Sequence, residues 1–99
     1  MTLPIRFLPD ARAEYDDAVD WYAAHRDALG EDFILKVRQT VRQIAARPHM
    51  FRKIYGEARQ ARVQRYPYVV IFQIMAEEIA IISVFHTSRD PSHWQSKLP

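Results

Sequence analysis

Two neighbouring runs of β-branched and aromatic residues limit the folds open to this chain more than any other feature. The first runs from Tyr68 to Met75 and the second from Ile79 to Phe85, with the segment Ala76-Glu77-Glu78 between them. Residues of these types favour strands, and so short a polar separator favours a hairpin. The sequence therefore predicts an antiparallel β-hairpin at the centre of a sheet.

Both faces of this hairpin are apolar. Because side chains alternate along a strand, the first strand divides into two sets, Tyr68, Val70, Phe72 and Ile74 on one side and Val69, Ile71 and Met75 on the other. A sheet that is apolar on both faces must be covered on both. We expect helices over one face, and the C-terminal tail, a second copy or a foreign segment over the other.

Two amphipathic helices precede the sheet. Pro9 and Asp10 suit the start of the first helix, and we expect Gly30 to end it. The second helix is expected from Glu31 to about Arg47, just before Pro48. The short connection predicts an antiparallel helix hairpin.

The remaining segments complete an α+β domain over residues 1–99. Strands are expected from Leu3 to Leu8, briefly from Met50 to Tyr55, and from Arg59 to Tyr66, with a bend at Pro67. The tail from His86 to Pro99 carries Trp94, and a short helix is expected after Pro91. The predicted order is β-α-α-β-β-β with a twisted antiparallel sheet and a short C-terminal tail or helix.

The charges are unevenly distributed along the chain. Up to Leu35 there are eight acids and three bases, whereas residues 36–65 hold nine bases and one acid, Glu57. Such a basic block favours an anionic partner, either a nucleic acid or an acidic protein segment. The alternative is a solvated face partly neutralised by the acidic first helix.

Composition excludes several classes of site. With no cysteine there is no disulfide framework, thiolate nucleophile or cysteine-bound zinc, and we expect a cytosolic protein. The four histidines lack the spacing of a metal site, and two glycines do not make a phosphate-binding loop. No signal peptide or membrane span is evident, so we expect neither cofactor, metal nor membrane partner.

The segment from Arg62 to Trp94 is similar to the RelE/ParE toxin superfamily. It contains a Tyr66-Pro67-Tyr68 bend, the strand-turn-strand, and a His86-Thr87-Ser88-Arg89-Asp90-Pro91 ending. The pairs Glu14-Tyr15 and Trp21-Tyr22, together with Phe33 and Val37, match the helices of the family. The chain is identified as a member of this superfamily, in its ParE-like branch.

The resemblance implies the toxin of a type II toxin–antitoxin or plasmid stabilisation system, neutralised by a cognate antitoxin. RelE-type members are metal-free ribosome-dependent messenger RNA endonucleases, whereas ParE-type members poison DNA gyrase by binding. Here Gln60 and Arg62 stand where the RelE pattern has lysines, Val69 where it has an arginine, and Trp94 where it has a tyrosine. These departures favour the non-enzymatic, gyrase-binding branch over the ribonuclease; a non-toxic binding module is the third alternative.

Candidate site residues follow from the resemblance and from the charges. Target binding is expected from basic and aromatic side chains, namely Arg62, Arg65, His86, Arg89 and Trp94. A ribonuclease would use Arg62, Arg89 and His86. Antitoxin binding is expected from exposed aromatic, basic and sheet-face residues, namely Trp21, Tyr22, Arg38, Arg42, Val69 and Ile71. The partners expected are therefore an antitoxin and gyrase, or the ribosome and messenger RNA, in a homodimer or a toxin–antitoxin hetero-oligomer.

Each of these residues also has a structural alternative. Arg62 and Arg65 should lie on opposite faces of their strand, so at most one shares a surface with Arg89; Arg62 is preferred, with a plain surface charge as the alternative. Arg89 could pair with the adjacent Asp90 instead of a ligand. His86 could be a structural strand-end residue, and Trp21 could pack on the second helix.

Overall fold

A computed structural model of the chain describes residues 2–99. The elements in order are β1 (Ile5–Phe7), α1 (Pro9–His25), α2 (Asp27–Ala46), a 3₁₀ turn (Pro48–Met50), β2 (Lys53–Tyr55), β3 (Ala58–Arg62), β4 (Tyr68–Ile74), β5 (Ile79–His86) and α3 (Ser92–Gln95). The α+β class is confirmed, as is the succession of one strand, two helices and then strands. Four strands follow the helices, one more than the predicted order contains, because the brief strand expected from Met50 to Tyr55 forms as β2. The C-terminal tail contains the short helix expected after Pro91.

The five strands form one sheet in the order β1-β5-β4-β3-β2. Strands β2 to β5 are antiparallel neighbours, as predicted, and β4 and β5 form the expected central hairpin. Strand β1 pairs with the outer edge of β5 in parallel, from Ile5 opposite Ile79 to Phe7 opposite Ile81. The sheet is therefore mixed and not wholly antiparallel as predicted, because β1 runs parallel to β5 at the edge that the hairpin leaves free.

The two faces of the hairpin are buried by different parts of the chain. On the helix side, Val70 and Phe72 pack with Phe33, Val37 and Ile44 of α2 in what we call the helix-side core. On the opposite side, a second set that we call the tail-side cluster consists of Ala58, Val69, Ile71, Ala80, Ile82, Phe85 and Trp94. The predicted division of side chains between the faces is confirmed, and the C-terminal tail covers the second face.

The prediction that Gly30 ends the first helix is wrong. The break lies at Arg26, whose extended backbone (φ −168°, ψ 129°) separates α1 from α2. Gly30 lies inside α2, where an added Cβ would approach the Cβ of Ala23 to 2.8 Å. Glycine is therefore present for the close approach of the two helices, and not as a helix stop.

The third strand is shorter than predicted, ending at Arg62 and not at Tyr66. The connection to β4 is a turn that places Arg65 in the left-handed region, at φ 76°. Arg65 Nη1 donates to Asp32 Oδ2 at 3.0 Å, and the Tyr66 hydroxyl donates to the same oxygen at 2.6 Å. These two bonds fasten the turn to α2 and stabilise its strained backbone.

No helix in the described part of the chain is long and apolar enough to cross a membrane.

Candidate functional site

A groove of about 600 Å³ runs between α1 and the end of the β4–β5 hairpin. The α1 wall presents Glu14, Asp17, Trp21 and Tyr22. The strand wall presents Tyr68, His86, Ser88 and Arg89. We call this feature the aromatic groove. It combines residues predicted for antitoxin binding, Trp21 and Tyr22, with residues predicted for target binding, His86 and Arg89.

Glu14 connects the α1 wall to the sheet. Its Oε1 accepts hydrogen bonds from the Ser83 hydroxyl at 2.7 Å and from the Val84 amide at 3.3 Å. The β4–β5 register shifts between Ile71 and Phe72, beside this contact. Glu14 Oε2 is buried and has no partner within residues 2–99. One oxygen of the Glu14 carboxylate therefore links α1 to β5, and the other is a buried acceptor without a hydrogen-bond donor.

Asp17 and Trp21 continue the same face of α1, because positions three and four apart are neighbours on a helix. Trp21 is 58% exposed, lies at a tilt against the ring of His25 at a centroid distance of 4.0 Å and meets Tyr22 edge-on at 5.0 Å. Trp21 is thus a surface residue, and the alternative of packing on the second helix is excluded. An exposed indole beside carboxylates is a surface suited to contact with another molecule.

Tyr22 and Tyr68 bring the two walls of the groove together, with their rings 6.3 Å apart. Tyr22 also stacks on Phe33 of the helix-side core at 5.1 Å. Burial raises the pKa of both phenols; for Tyr68, Arg89 lowers the pKa in part and Glu14 raises it further. Both hydroxyl groups are therefore neutral at pH 7, and Tyr68 lies within range of charges on both walls.

The strand wall offers a ligand hydrogen-bond donors from His86 and Arg89. The ring of His86 packs edge-on against Tyr68 at 5.1 Å, and His86 Nδ1 accepts a bond from the Ser88 amide at 3.1 Å. Because Nδ1 is an acceptor, a neutral imidazole carries its proton on Nε2. Arg89 is exposed and forms no ion pair with any carboxylate of the described chain.

Asp90 does not pair with Arg89. Asp90 Oδ1 accepts from the Ser92 amide at 3.0 Å, and this bond holds the pKa of the carboxyl below its usual value. The alternative in which Arg89 merely neutralises its neighbour is therefore excluded. The guanidinium is free to bind a ligand on this wall of the groove.

Arg62 and Arg65 do not share a surface depression with Arg89. These two arginines line a separate depression at the β3–β4 turn, with Arg65 paired to Asp32. Arg62 lies opposite Val69, which in turn lies opposite Phe85, so the register places Arg62 on the tail side of the sheet. The preference for Arg62 as the residue that shares a surface with Arg89 is wrong.

Three other predicted site residues are buried, and two are exposed elsewhere. Trp94, Val69 and Ile71 belong to the tail-side cluster and are at most 7% exposed. In the isolated chain they offer no surface to a target or to an antitoxin, because the C-terminal tail, one of the three covers expected for this face, packs over it. Arg38 and Arg42 are exposed on the outer face of α2, away from the groove lining.

Sequence reasoning missed Glu14, Asp17 and Tyr68 as groove residues. Glu14 and Asp17 fell on the acidic side of α1, where solvated carboxylates are the rule. One signal could have found Glu14. Ser83 is the only hydroxyl in an apolar strand, and a buried hydroxyl requires a hydrogen-bonding partner from another element.

Comparison with known proteins gives the family. The model of the family described as "ParE toxin of type II toxin-antitoxin system, parDE" matches residues 5–91. A solved structure described as the chromosomal ParDE TA system from P. aeruginosa is similar, with a TM-score of 0.62 and 19% identity; the match covers 88% of this chain and 98% of the other. No curated protein matches the chain. Since the family model spans most of the sequence, the chain belongs to the ParE toxin family of type II toxin–antitoxin systems.

Proposed function

We propose that this toxin is neutralised by a cognate antitoxin and stops growth by binding DNA gyrase, without being an enzyme. The similar P. aeruginosa structure is described as a ParDE toxin–antitoxin system. We extend such a pairing to this chain. The proposal places the chain in the cytosol, which accords with the absence of cysteine.

The observation that carries binding over RNA cleavage is the separation of the basic side chains. A metal-free ribonuclease needs a base, an acid and a cation around one phosphate. His86 and Arg89 share the aromatic groove, whereas Arg62 lines a different depression. The predicted ribonuclease set is thus not gathered around a single site.

The acidic wall gives a second reason. Glu14 and Asp17 line the same groove as His86 and Arg89. Their negative charge repels a phosphate group that approaches Arg89. Glu14 is also poorly suited to act as a base, since one of its oxygens is bonded to Ser83 and the other is buried. A protein partner is favoured over an RNA strand at this groove.

The test of the target uses purified toxin with gyrase and plasmid DNA. We expect cleaved DNA to accumulate with toxin concentration, and Arg89→Gln to weaken the effect. Asp20→Asn, an exposed acid of α1 outside the groove, serves as the matched control. Ribosome-dependent cutting of messenger RNA that is lost in Arg89→Ala, without any effect on gyrase, would establish the RelE-type alternative.

The test of the pairing uses expression with and without the product of the neighbouring reading frame. We expect growth arrest by the toxin alone, rescue by the neighbour, and co-purification of the two proteins. Light scattering of the purified forms then distinguishes a homodimer from a hetero-oligomer. Harmless expression of the toxin alone would indicate a binding module that has lost toxicity.

A further inference from the structure

The two walls of the aromatic groove carry opposite charges that the isolated chain leaves unpaired. Six of its basic side chains form ion pairs at other places, among them Arg6 with Glu78 and Lys97 with Asp10. Glu14, Asp17 and Arg89 line one groove, and among the described residues none of the three has an ion-pair partner. The groove therefore brings together charges of both signs that have no ion-pair partner among the described residues.

The α1 wall has the chemistry of a cation seat. Asp17 is exposed in the groove lining, and Glu14, one turn earlier, adds negative charge behind it although its Oε2 is buried. Trp21 adds an exposed indole a further turn along the same face. Carboxylates beside an aromatic face bind guanidinium and ammonium groups through ion pairing and cation–π attraction.

The strand wall has the chemistry of a carboxylate seat. Arg89 supplies guanidinium donors. His86 supplies the Nε2 proton, because its Nδ1 already accepts from Ser88. A carboxylate accepts two or more such bonds, and those from arginine are the stronger because they are charge-assisted.

The combination selects a class of occupant. A nucleic acid carries phosphates that the strand wall attracts and the α1 wall repels. A purely apolar helix would leave both walls desolvated without partners, which costs free energy. A protein segment that carries one basic and one acidic side chain satisfies both.

We propose that the aromatic groove receives an antitoxin segment with a basic side chain that contacts Asp17 and Trp21, near the charge of Glu14, and an acidic side chain that contacts His86 and Arg89. The inference rests on the proposed function in naming the antitoxin as the owner of the segment. The charge pattern of the segment follows from the groove itself.

The experiment titrates the full chain with alanine-based helical peptides and follows amide and indole signals by NMR. The peptides carry arginine and glutamate four or seven residues apart, in both orders; matched peptides carry citrulline and glutamine instead. We expect at least one charged peptide to shift the Trp21 indole signal together with the Ser88 and Arg89 amides. Its neutral counterpart should shift these signals much less at the same concentration.

Variants locate the contacts. Asp17→Asn and Arg89→Gln should each raise the peptide Kd roughly fivefold, the effect of losing one exposed charge contact. Glu14→Gln removes the charge and keeps an oxygen for Ser83, and Asp20→Asn should change nothing. The proposal is overturned if neutral peptides bind equally well, if every charged peptide fails, or if the shifts lie on another surface.

Affinity for the neighbouring gene product separates this inference from the proposed function. If that product binds the Asp17→Asn and Arg89→Gln toxins as tightly as it binds the unaltered toxin, the groove assignment fails while the toxin–antitoxin pairing stands. If the peptides bind as expected but the chain is harmless when expressed alone, the proposed function fails while the groove assignment stands.

Discussion

The two tryptophans lie in regions of the molecule that differ in almost every physical respect. Trp94 is 3% exposed and packs edge-on against Phe85 of the tail-side cluster and against the ring of Tyr55. Trp21 is 58% exposed on the wall of the aromatic groove, among charges without partners. The tail-side cluster stabilises the folded chain. The groove instead contains charged groups without ion-pair partners, which are available to a binding partner.

The largest effect on stability is expected from Trp94→Ala. Removing a buried tryptophan should lower the free energy of unfolding by about 3–5 kcal/mol, measured by urea denaturation. Trp94→Phe should cost less because it fills more of the space. A loss below about 1 kcal/mol would mean that the tail does not cover the sheet in solution.

A smaller effect is expected from Gly30→Ala, at the helix contact that positions the α1 wall. The new Cβ would meet Ala23, and overpacking of about 1–3 kcal/mol should exceed a helix-propensity gain of about 1 kcal/mol. The double variant with Ala23→Gly is the control, because it removes the contacted Cβ. If Gly30→Ala stabilises the protein, the close approach of the helices is not rigid.

A pH effect is expected from Tyr66, which fastens the β3–β4 turn to α2. Burial, followed by the hydrogen bond to Asp32, raises the pKa of Tyr66 from 10.0 to about 12. Its contribution to stability is complete below pH 10, because the unfolded chain loses the proton first, and is lost between pH 10 and about 12. Tyr66→Phe should flatten the fall in unfolding free energy over this range; parallel curves for the two proteins would contradict the prediction.

The smallest effects on stability are expected from Arg89→Gln and Trp21→Ala. Both side chains are exposed, so the free energy of unfolding should change by less than about 0.5 kcal/mol for the arginine and little more for the tryptophan. Gyrase inhibition and antitoxin binding should nevertheless weaken. If either variant lowered the free energy of unfolding by several kcal/mol, the groove residues would stabilise the fold as Trp94 does, and the contrast between the two regions would be wrong.

The sheet and its two faces could be predicted because period-two alternation specifies burial directly. Val70 and Phe72 lie on the helix side and Val69 and Ile71 on the tail side, as the pattern indicates. The helix break could not be predicted from Gly30, because a glycine at a close contact and a glycine at a helix end look alike in a sequence. The two roles are distinguished only by the position of Ala23 in α1, which lies against Gly30.

The site was predictable in its aromatic and basic residues and not in its acidic ones. Trp21 was notable as a large apolar residue on a polar helix face, and Arg89 through the family resemblance. The role of Glu14 depends on a bond to Ser83, 69 positions away, which no local pattern reveals. Trp94 was misplaced because the sequence does not say whether a tail aromatic folds back or stays exposed.

The pairing of β5 between β1 and β4 has a consequence for the order of assembly. All other strands are synthesised before β5, yet β5 is the neighbour that both β1 and β4 require. Until it emerges from the ribosome, the early helices lack much of the surface against which they pack, and such long-range pairing is slow to form. The two walls of the groove therefore meet only when the last strand is in place.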